Sequence, residues 1–405
     1  MQTLARRALQ RASSSSCSCS PSSCRPSSSA LFSSTASSAI DPSRLEITRA
    51  AASAPRVPKE QLLFGKTFTD HMLEIDWTKD GGWAAPKISP MGALDLHPAA
   101  SSLHYGLQCF EGMKAYVDGD GGVRLFRPDK NMERMNTSCA RLFLPAFDGE
   151  ALTECIKELI KVDRDWIPEG DGFSLYIRPT AISTHPYLGV CAAEASKIFV
   201  ILSPVGPYYP EGFAPVKLFA DNSNVRAWPG GIGYTKSGGN YAPSIGPQTD
   251  AAKKGYSQVL WLFGDDDQVT EVGTMNMFTL WINEDGEKEL ITAPLDDGTV
   301  LPGVTRDSIL ELTRGWGEFK VTERNFNMAE LTKALDEGRV IESFGCGTAA
   351  VVSPIELIAY KGKEYQVPLS ATNPGQPAGD LTQRVWDQIT EIQYGKVEHE
   401  WSVKV

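Results

Sequence analysis

The chain has 405 residues, 41% hydrophobic and 22% charged, with a formal net charge of −11. That length suits two domains of ordinary size, and the acidic balance argues against nucleic acid or an anionic membrane surface as a partner. No run of about 18 or more apolar residues occurs, so no transmembrane helix is expected.

The first forty residues differ in composition from the rest. They carry Arg6, Arg7, Arg11 and Arg25, many serines and no acidic residue before Asp41. Ala5, Ala8, Leu9 and Ala12 follow helical spacing beside the arginines. An amphipathic, Arg-rich, Ser-rich, acid-poor start is the mark of an organellar transit peptide. We therefore expect residues 1–40 to direct import into the mitochondrial matrix and then to be removed. Of eight cysteines, five lie beyond this segment (Cys109, Cys139, Cys155, Cys191, Cys346), with no C-x-x-C spacing. They suggest neither a zinc site nor a disulfide framework and read as reduced, mostly buried thiols.

From Gln61 the pattern becomes strand-like, with Thr67 to His71 as the expected strand core. His71 has no second histidine at metal spacing, so a hydrogen-bonded structural role is expected for it and for Asp70. LHYGLQCFEGMKAY, residues 103–116, sets Tyr105, Phe110 and Tyr116 among glycines. Such aromatic density suits a core or the wall of an apolar pocket. DKNMERMNTSCARLFLP predicts a helix with Met132, Met135, Cys139 and Leu142 on one stripe. Arg134 lies off that stripe, either solvated or turned toward an anion. A second helix, ALTECIKELIKV, buries Leu152, Cys155, Ile156, Leu159 and Ile160 on one face. In the strand FSLYIRPTAI, alternation puts Tyr176 and Arg178 on the same side. They form either a carboxylate receptor or a solvated edge.

KIFVILSPV is a strand-length apolar run. Pro204, Pro207 and Pro210 follow closely and mark an interdomain linker at 204–214, between a domain at 41–203 and another at 215–405. In the second domain VKLFAD, SQVLWLF, FTLWIN and KELITA read as strands. Glu271, with Val269 and Val272 close by, either needs a cationic partner or faces water on an alternating strand. LPGVTRDSILEL opens a helix whose first amides, at Val304 and Thr305, could receive phosphate. FGCGTAAVVSP is a glycine-bearing loop with the Thr348 hydroxyl, and LTQRVWDQITEIQYG closes the fold as an amphipathic helix.

The stretch RAWPGGIGYTKSGGNYA, from Arg226 to Ala242, carries the chemistry. Lys236 sits among Gly230, Gly231, Gly233, Gly238 and Gly239. A lysine so presented can hold phosphate as a point charge or bond a carbonyl as a Schiff base. The P-loop pattern fails, because Thr235 occupies the position of its second glycine and Pro229 precludes a buried strand before it.

Six segments (FGKTFTDHML, LHYGLQCFEGMKAY, LFRPDKNMERM, GGIGYTKSGGNYAPS, EVGTMNMF and LPGVTRDSI) together resemble the branched-chain amino acid aminotransferases. The likeness runs from about Phe64 to the last helix. It implies an α+β chain of the D-amino acid aminotransferase-like fold, called fold type IV. A smaller N-terminal α/β domain would precede a larger C-terminal, barrel-like mixed domain with helices. It implies pyridoxal 5'-phosphate bound as a Schiff base to Lys236, which would also move the substrate α-proton. Glu271 would face the ring nitrogen, and Tyr241 the ring's phenolic oxygen. Arg134, the amides of Val304 and Thr305, and Thr348 would hold the phosphate.

The same resemblance places Phe64, Tyr105, Phe110, Tyr176, Tyr208, Thr274, Met275 and Ala349 around the substrate, with Arg178 receiving the second carboxylate of glutamate. It implies a homodimer in which Val190, in the LGV turn, completes a pocket across the interface. It also implies reversible transamination of leucine, isoleucine and valine with 2-oxoglutarate, and no metal. One departure is visible. Some animal members carry a redox C-x-x-C where this chain has Ala350 and Ser353, so thiol regulation there is not expected. The alternatives are a D-amino acid aminotransferase or aminodeoxychorismate lyase of the same fold, a nucleotide-binding protein, and an inactive relative acting as a binding module. Preference among the three branched substrates is not legible, because one methylene changes selectivity only modestly.

Overall fold

The computed structural model describes residues 39–208 and 213–405. The expected targeting segment, apart from its last two residues, and the Pro210 end of the expected linker lie outside them. Among the described residues two mixed sheets carry seven α-helices: α1 (Ser101–Tyr105), α2 (Pro128–Arg141), α3 (Gly149–Val162), α4 (Ile245–Lys253), α5 (Val304–Trp316), α6 (Met328–Asp336) and α7 (Asp380–Gln393).

The first sheet is built around long antiparallel strands, His71–Thr78, Ala195–Val205 and Ser174–Ser183. It continues through Met113–Val117 and Val123–Phe126. Helices α2 and α3 cover one face. Their predicted stripes, Met132, Met135 and Cys139 on α2 and Leu152, Cys155, Ile156, Leu159 and Ile160 on α3, pack with Leu73, Ile75, Ile177 and Ile198 in one core. Each large side chain so buried contributes about 1.5–3 kcal/mol before the entropy of ordering is counted.

In the second sheet the strands Gln268–Val272, Gln258–Phe263, Val216–Asp221, Val351–Tyr360, Val340–Gly347 and Met275–Ile282 follow one another. The first then pairs with the last, so the six close into a barrel. Closure removes the unpaired edges that would otherwise invite association. Helices α5 and α7 pack on this sheet through Ile309, Leu310, Val385 and Ile389 against Phe278 and Phe344.

Three expectations are corrected. The strand begins at His71, and Thr67 to Asp70 precede it as irregular chain. The Asp70 carboxylate instead binds Ser53 Oγ, the Ala54 amide and Trp166 Nε1, which ties the entering chain to its neighbours. Pro204 and Val205 are paired strand residues, not linker. Helix α7 is not the last element, because Ser402–Lys404 returns to pair with Val123–Phe126 in the first sheet. The cysteines are mostly buried, as expected: four of the five in the described chain are, and Cys191 is exposed. His71 has the structural role expected: Nδ1 lies 2.6 Å from Asp163 Oδ1, and Nε2 accepts from the Ala50 amide at 2.8 Å.

Candidate active site

Lys236 lies where the loop after Val216–Asp221 meets the first sheet. Its amide donates to Ser138 Oγ on α2 at 2.9 Å, and its carbonyl accepts from the Phe110 amide at 3.1 Å. The loop is braced from within, since Asn240 Nδ2 donates to the carbonyls of Ile232 and Thr235, both at 2.9 Å. Gly233 is required by close approach: a Cβ there would sit 2.5 Å from Ala227 Cβ and 2.8 Å from the Gly298 and Thr299 carbonyl oxygens. The lysine peptide is therefore held by α2 and by the chain at Phe110.

The ammonium opens into a cavity of about 260 Å³. Lys236 Nζ donates to Tyr241 Oη at 3.1 Å and stands 4.8 Å from the centre of the Phe110 ring. Burial, reinforced by the nearby Arg134 charge, pushes its pKa down to about 8. Burial likewise lifts the Tyr241 phenol to about 12.

The hairpin EVGTMNM forms one wall. Strands Gln268–Val272 and Met275–Ile282 pair with Glu271 opposite Asn276 and Val272 opposite Met275, across a turn in which Gly273 has φ +54°. Thr274, Met275 and Asn276 line the cavity, while Glu271 lies behind that wall and is buried. Its Oε1 accepts from Asn276 Nδ2 at 3.1 Å and from the Leu301 amide at 2.9 Å. Its Oε2 lies 2.6 Å from Arg226 Nε, out of line for a hydrogen bond, so it still has lone pairs to offer a donor. Burial raises the Glu271 carboxyl above its ordinary range, although Arg226 and the Leu301 amide pull the other way.

The opposite end is cationic. Arg134, on α2, is buried and paired with an internal anion, Glu111, through Nε to Oε1 at 2.7 Å and Nη2 to Oε2 at 2.8 Å. Nη1 donates to the Pro302 carbonyl at 3.0 Å. This bidentate grip uses only part of the guanidinium's five N–H groups. Burial pushes the Glu111 carboxyl up, but the charge and hydrogen bonds of Arg134 outweigh it and leave it below the usual range. Helix α5 starts beside Arg134 with Gly303 as N-cap and no capping side chain, so its first amides face the cavity at Val304 and Thr305. Any Cβ at Gly303 would collide with Asn276 Oδ1. Arg127 ties the two helices together, reaching Asp307 at 2.9 Å and Ser308 Oγ at 2.9 Å.

Of the residues singled out from the sequence, the cavity gathers Arg134, Lys236, Tyr241, Val304, Thr305 and Thr348 with Phe64, Phe110, Tyr176, Arg178, Tyr208, Thr274, Met275 and Ala349. Arg178 Nη2 donates to Tyr176 Oη at 2.7 Å, as their shared strand face requires. Tyr105 and Val190 do not line it. They sit on the outer surface of the chain, Val190 81% exposed, and the Tyr105 hydroxyl bonds the Leu188 carbonyl. Glu111, Arg226 and Asn276 were not singled out. Glu111 and Asn276 stood inside quoted motifs, and only their pairing in space gives them roles.

An uncapped helix end, a buried guanidinium and an amine of lowered basicity now face one cavity, with an incompletely bonded carboxylate behind its wall. The model for the amino-transferase class IV family matches residues 108–358. The chain is 61% identical over 347 residues to a branched-chain-amino-acid aminotransferase of Dictyostelium discoideum, covering 86% of this chain and 90% of that one. It is 52% identical over 363 residues to the mitochondrial branched-chain-amino-acid aminotransferase of Rattus norvegicus, covering 89% and 91%.

This chain is a class IV aminotransferase of the branched-chain group.

Among solved structures, the branched-chain aminotransferase of Thermobaculum terrenum in its PLP form superposes with a TM-score of 0.66 at 20% identity, over 84% of this chain and 99% of that one. At that identity the likeness establishes the fold. Within the aminotransferase, strand pairing brings Lys236 and the Glu271 hairpin to the barrel rim, and α2 of the first sheet supplies the cation.

Proposed function

We propose that the enzyme exchanges amino groups reversibly between L-leucine, L-isoleucine or L-valine and 2-oxoglutarate, using pyridoxal 5'-phosphate on Lys236. The observation that carries this reading is the Lys236 amine, its pKa near 8, 3.1 Å from Tyr241 Oη in a cavity ending at an uncapped helix. The residues present fit the cofactor: Glu271 Oε2 has lone pairs to spare, and the uncapped first amides of the helix at Val304 and Thr305 line the cavity. When bound, pyridoxal phosphate supplies an electron sink for charge developing at the substrate α-carbon.

Lys236 would hold the cofactor through its amine and, once freed, would move the proton at the substrate α-carbon, tasks suited to an amine that is partly neutral near pH 7. Glu271 would accept a hydrogen bond from the proton-bearing ring nitrogen, with Arg226 favouring the ionised carboxylate against the effect of burial. Tyr241 donates to the phenolic oxygen. Arg134, the Val304 and Thr305 amides and Thr348 hold the phosphate. Phe64 and Phe110 form the apolar wall for a branched side chain, while Tyr176 and Arg178 receive a distal carboxylate.

Purified enzyme should absorb in the visible range, and Lys236→Ala should abolish both that band and leucine:2-oxoglutarate exchange. A preference for D-amino acids in a substrate panel would overturn the assignment. We further propose a homodimer, supported by the exposed apolar group Leu103, Tyr105, Leu188 and Val190. Light scattering giving a monomer mass would reject it. Import into the mitochondrial matrix is supported by the Arg-rich start and the mitochondrial relative, and a fusion of residues 1–40 to a reporter that stayed cytosolic would reject it.

A further inference from the structure

The turn between the strands Val340–Gly347 and Val351–Tyr360 borders the Lys236 cavity, which Thr348, Ala349 and Ala350 help to line. Ala349 and Ala350 also line a neighbouring cavity of about 490 Å³, so the turn is a thin partition between two spaces. Its shape is strained. Val351, which closes the turn opposite Gly347, has φ +63°. That is the left-handed region, where a β-branched residue is an outlier that persists only when its surroundings over-determine it. Two side chains on one strand of the first sheet contribute to that. Residues two apart share a strand face, and on Met113–Val117 one face carries Lys114 and Tyr116. Tyr116 belongs with Val351 to one buried cluster. Lys114 Nζ donates to the Ala349 carbonyl at 2.7 Å. Among the described residues, no other side chain hydrogen-bonds residues 348–350.

This bond is a poor stabiliser of the fold. Its acceptor carries no formal charge, and burial pushes the Lys114 pKa down to about 8, so the site disfavours the ammonium it holds. What the bond fixes is position: it ties a strand of the first sheet to the turn of the second, between Thr348 and the strained Val351. We propose that Lys114 is a positioning residue for the reaction, a strut that keeps Thr348 within reach of the cofactor phosphate by holding the Ala349 carbonyl. This rests on the function proposed above, in which Thr348 binds that phosphate. Without the strut Val351 relaxes toward negative φ, and the Thr348 hydroxyl moves off the phosphate.

The test titrates apoenzyme with pyridoxal phosphate and, separately, with pyridoxal, which lacks the phosphate. The readout is the ratio of the two affinities. Lys114→Met should lower that ratio about tenfold, roughly the worth of one hydrogen bond to a charged group, by weakening pyridoxal phosphate alone. A general loosening of the fold would weaken both ligands and leave the ratio unchanged. Thr348→Val should lower the ratio by itself, and adding Lys114→Met should lower it little further, because the lysine acts through the threonine. Lys114→Gln, whose amide nitrogen falls short of the lysine's reach, should behave as Lys114→Met does, and thermal denaturation checks that each variant is folded. An unchanged ratio in either folded Lys114 variant, or losses that add in the double variant, overturns the positioning role and leaves the proposed function standing. A wild type that binds the two ligands alike would overturn the phosphate reading, and this inference with it.

Discussion

Arg226 and Glu271 form a buried ion pair, Nε to Oε2 at 2.6 Å, directly behind the wall that faces Lys236. With the proposed cofactor bound, the carboxylate would answer to a second cation, the ring nitrogen, besides this guanidinium. Removing Arg226 leaves an acid whose burial already raises its pKa. Arg226→Met should cost about 3–5 kcal/mol in urea denaturation, the usual penalty of stranding one member of a buried pair. Arg226→Met combined with Glu271→Gln should recover part of that loss. If both variants lose the same amount, the pair is not a coupled unit.

Arg134 neutralises Glu111, and the sign of the pH dependence follows. In the wild type burial pushes the Glu111 carboxyl up, but Arg134 holds it below its ordinary value. Its stabilisation is thus present above the unfolded pKa and is lost as pH falls through the lower folded one. In Arg134→Met burial is opposed only by the lesser effects of the Lys236 charge and the Asn131 hydrogen bond, so the folded pKa should rise and the sign reverse, with stability lost as pH climbs. Urea midpoints between pH 5 and about pH 8 should show the variant's deficit widening with pH, by roughly 3–5 kcal/mol at the top. A deficit independent of pH would mean Glu111 has found another cation.

The lowered basicity of Lys236 has a kinetic signature. Only the neutral amine attacks a carbonyl, and an ordinary lysine reaches it near pH 10.4. With the Lys236 pKa near 8, the rate at which apoenzyme captures added pyridoxal phosphate should climb about tenfold per pH unit up to roughly pH 8 and then level off. Stopped-flow absorbance reads this directly. A rate still climbing above pH 9 would place the amine in water.

Two glycines of the lysine loop should respond in opposite ways to the same change. Gly233→Ala drives a methyl into Ala227 and two backbone oxygens. It should cost about 1–3 kcal/mol by overpacking and lower kcat severalfold as the Lys236 peptide shifts. Gly239→Ala meets nothing within 4 Å and needs no positive φ. It should leave melting temperature and activity near wild type, so equal effects at the two positions would refute the packing account.

Periodicity alone placed the buried stripes of α2 and α3 and the shared face of Tyr176 and Arg178, because neighbours at three, four or two residues are set by local backbone geometry. Motif content in six segments was enough to indicate the family, and with it the positions of Lys236, Glu271 and Tyr241. Other features had no local trace. Whether Arg134 was solvated could not be read until Glu111 was seen against it. The cation for Glu271 proved to be Arg226, brought in by the loop between two barrel strands. Ser402–Lys404 joins the first sheet although the preceding helix packs on the second. Lys114 looks like any strand lysine until Ala349 closes over it. Side-chain period depends on the next turn of the same element, but charge pairing, barrel closure and cavity walls depend on which distant segments meet, and only the folded chain decides that.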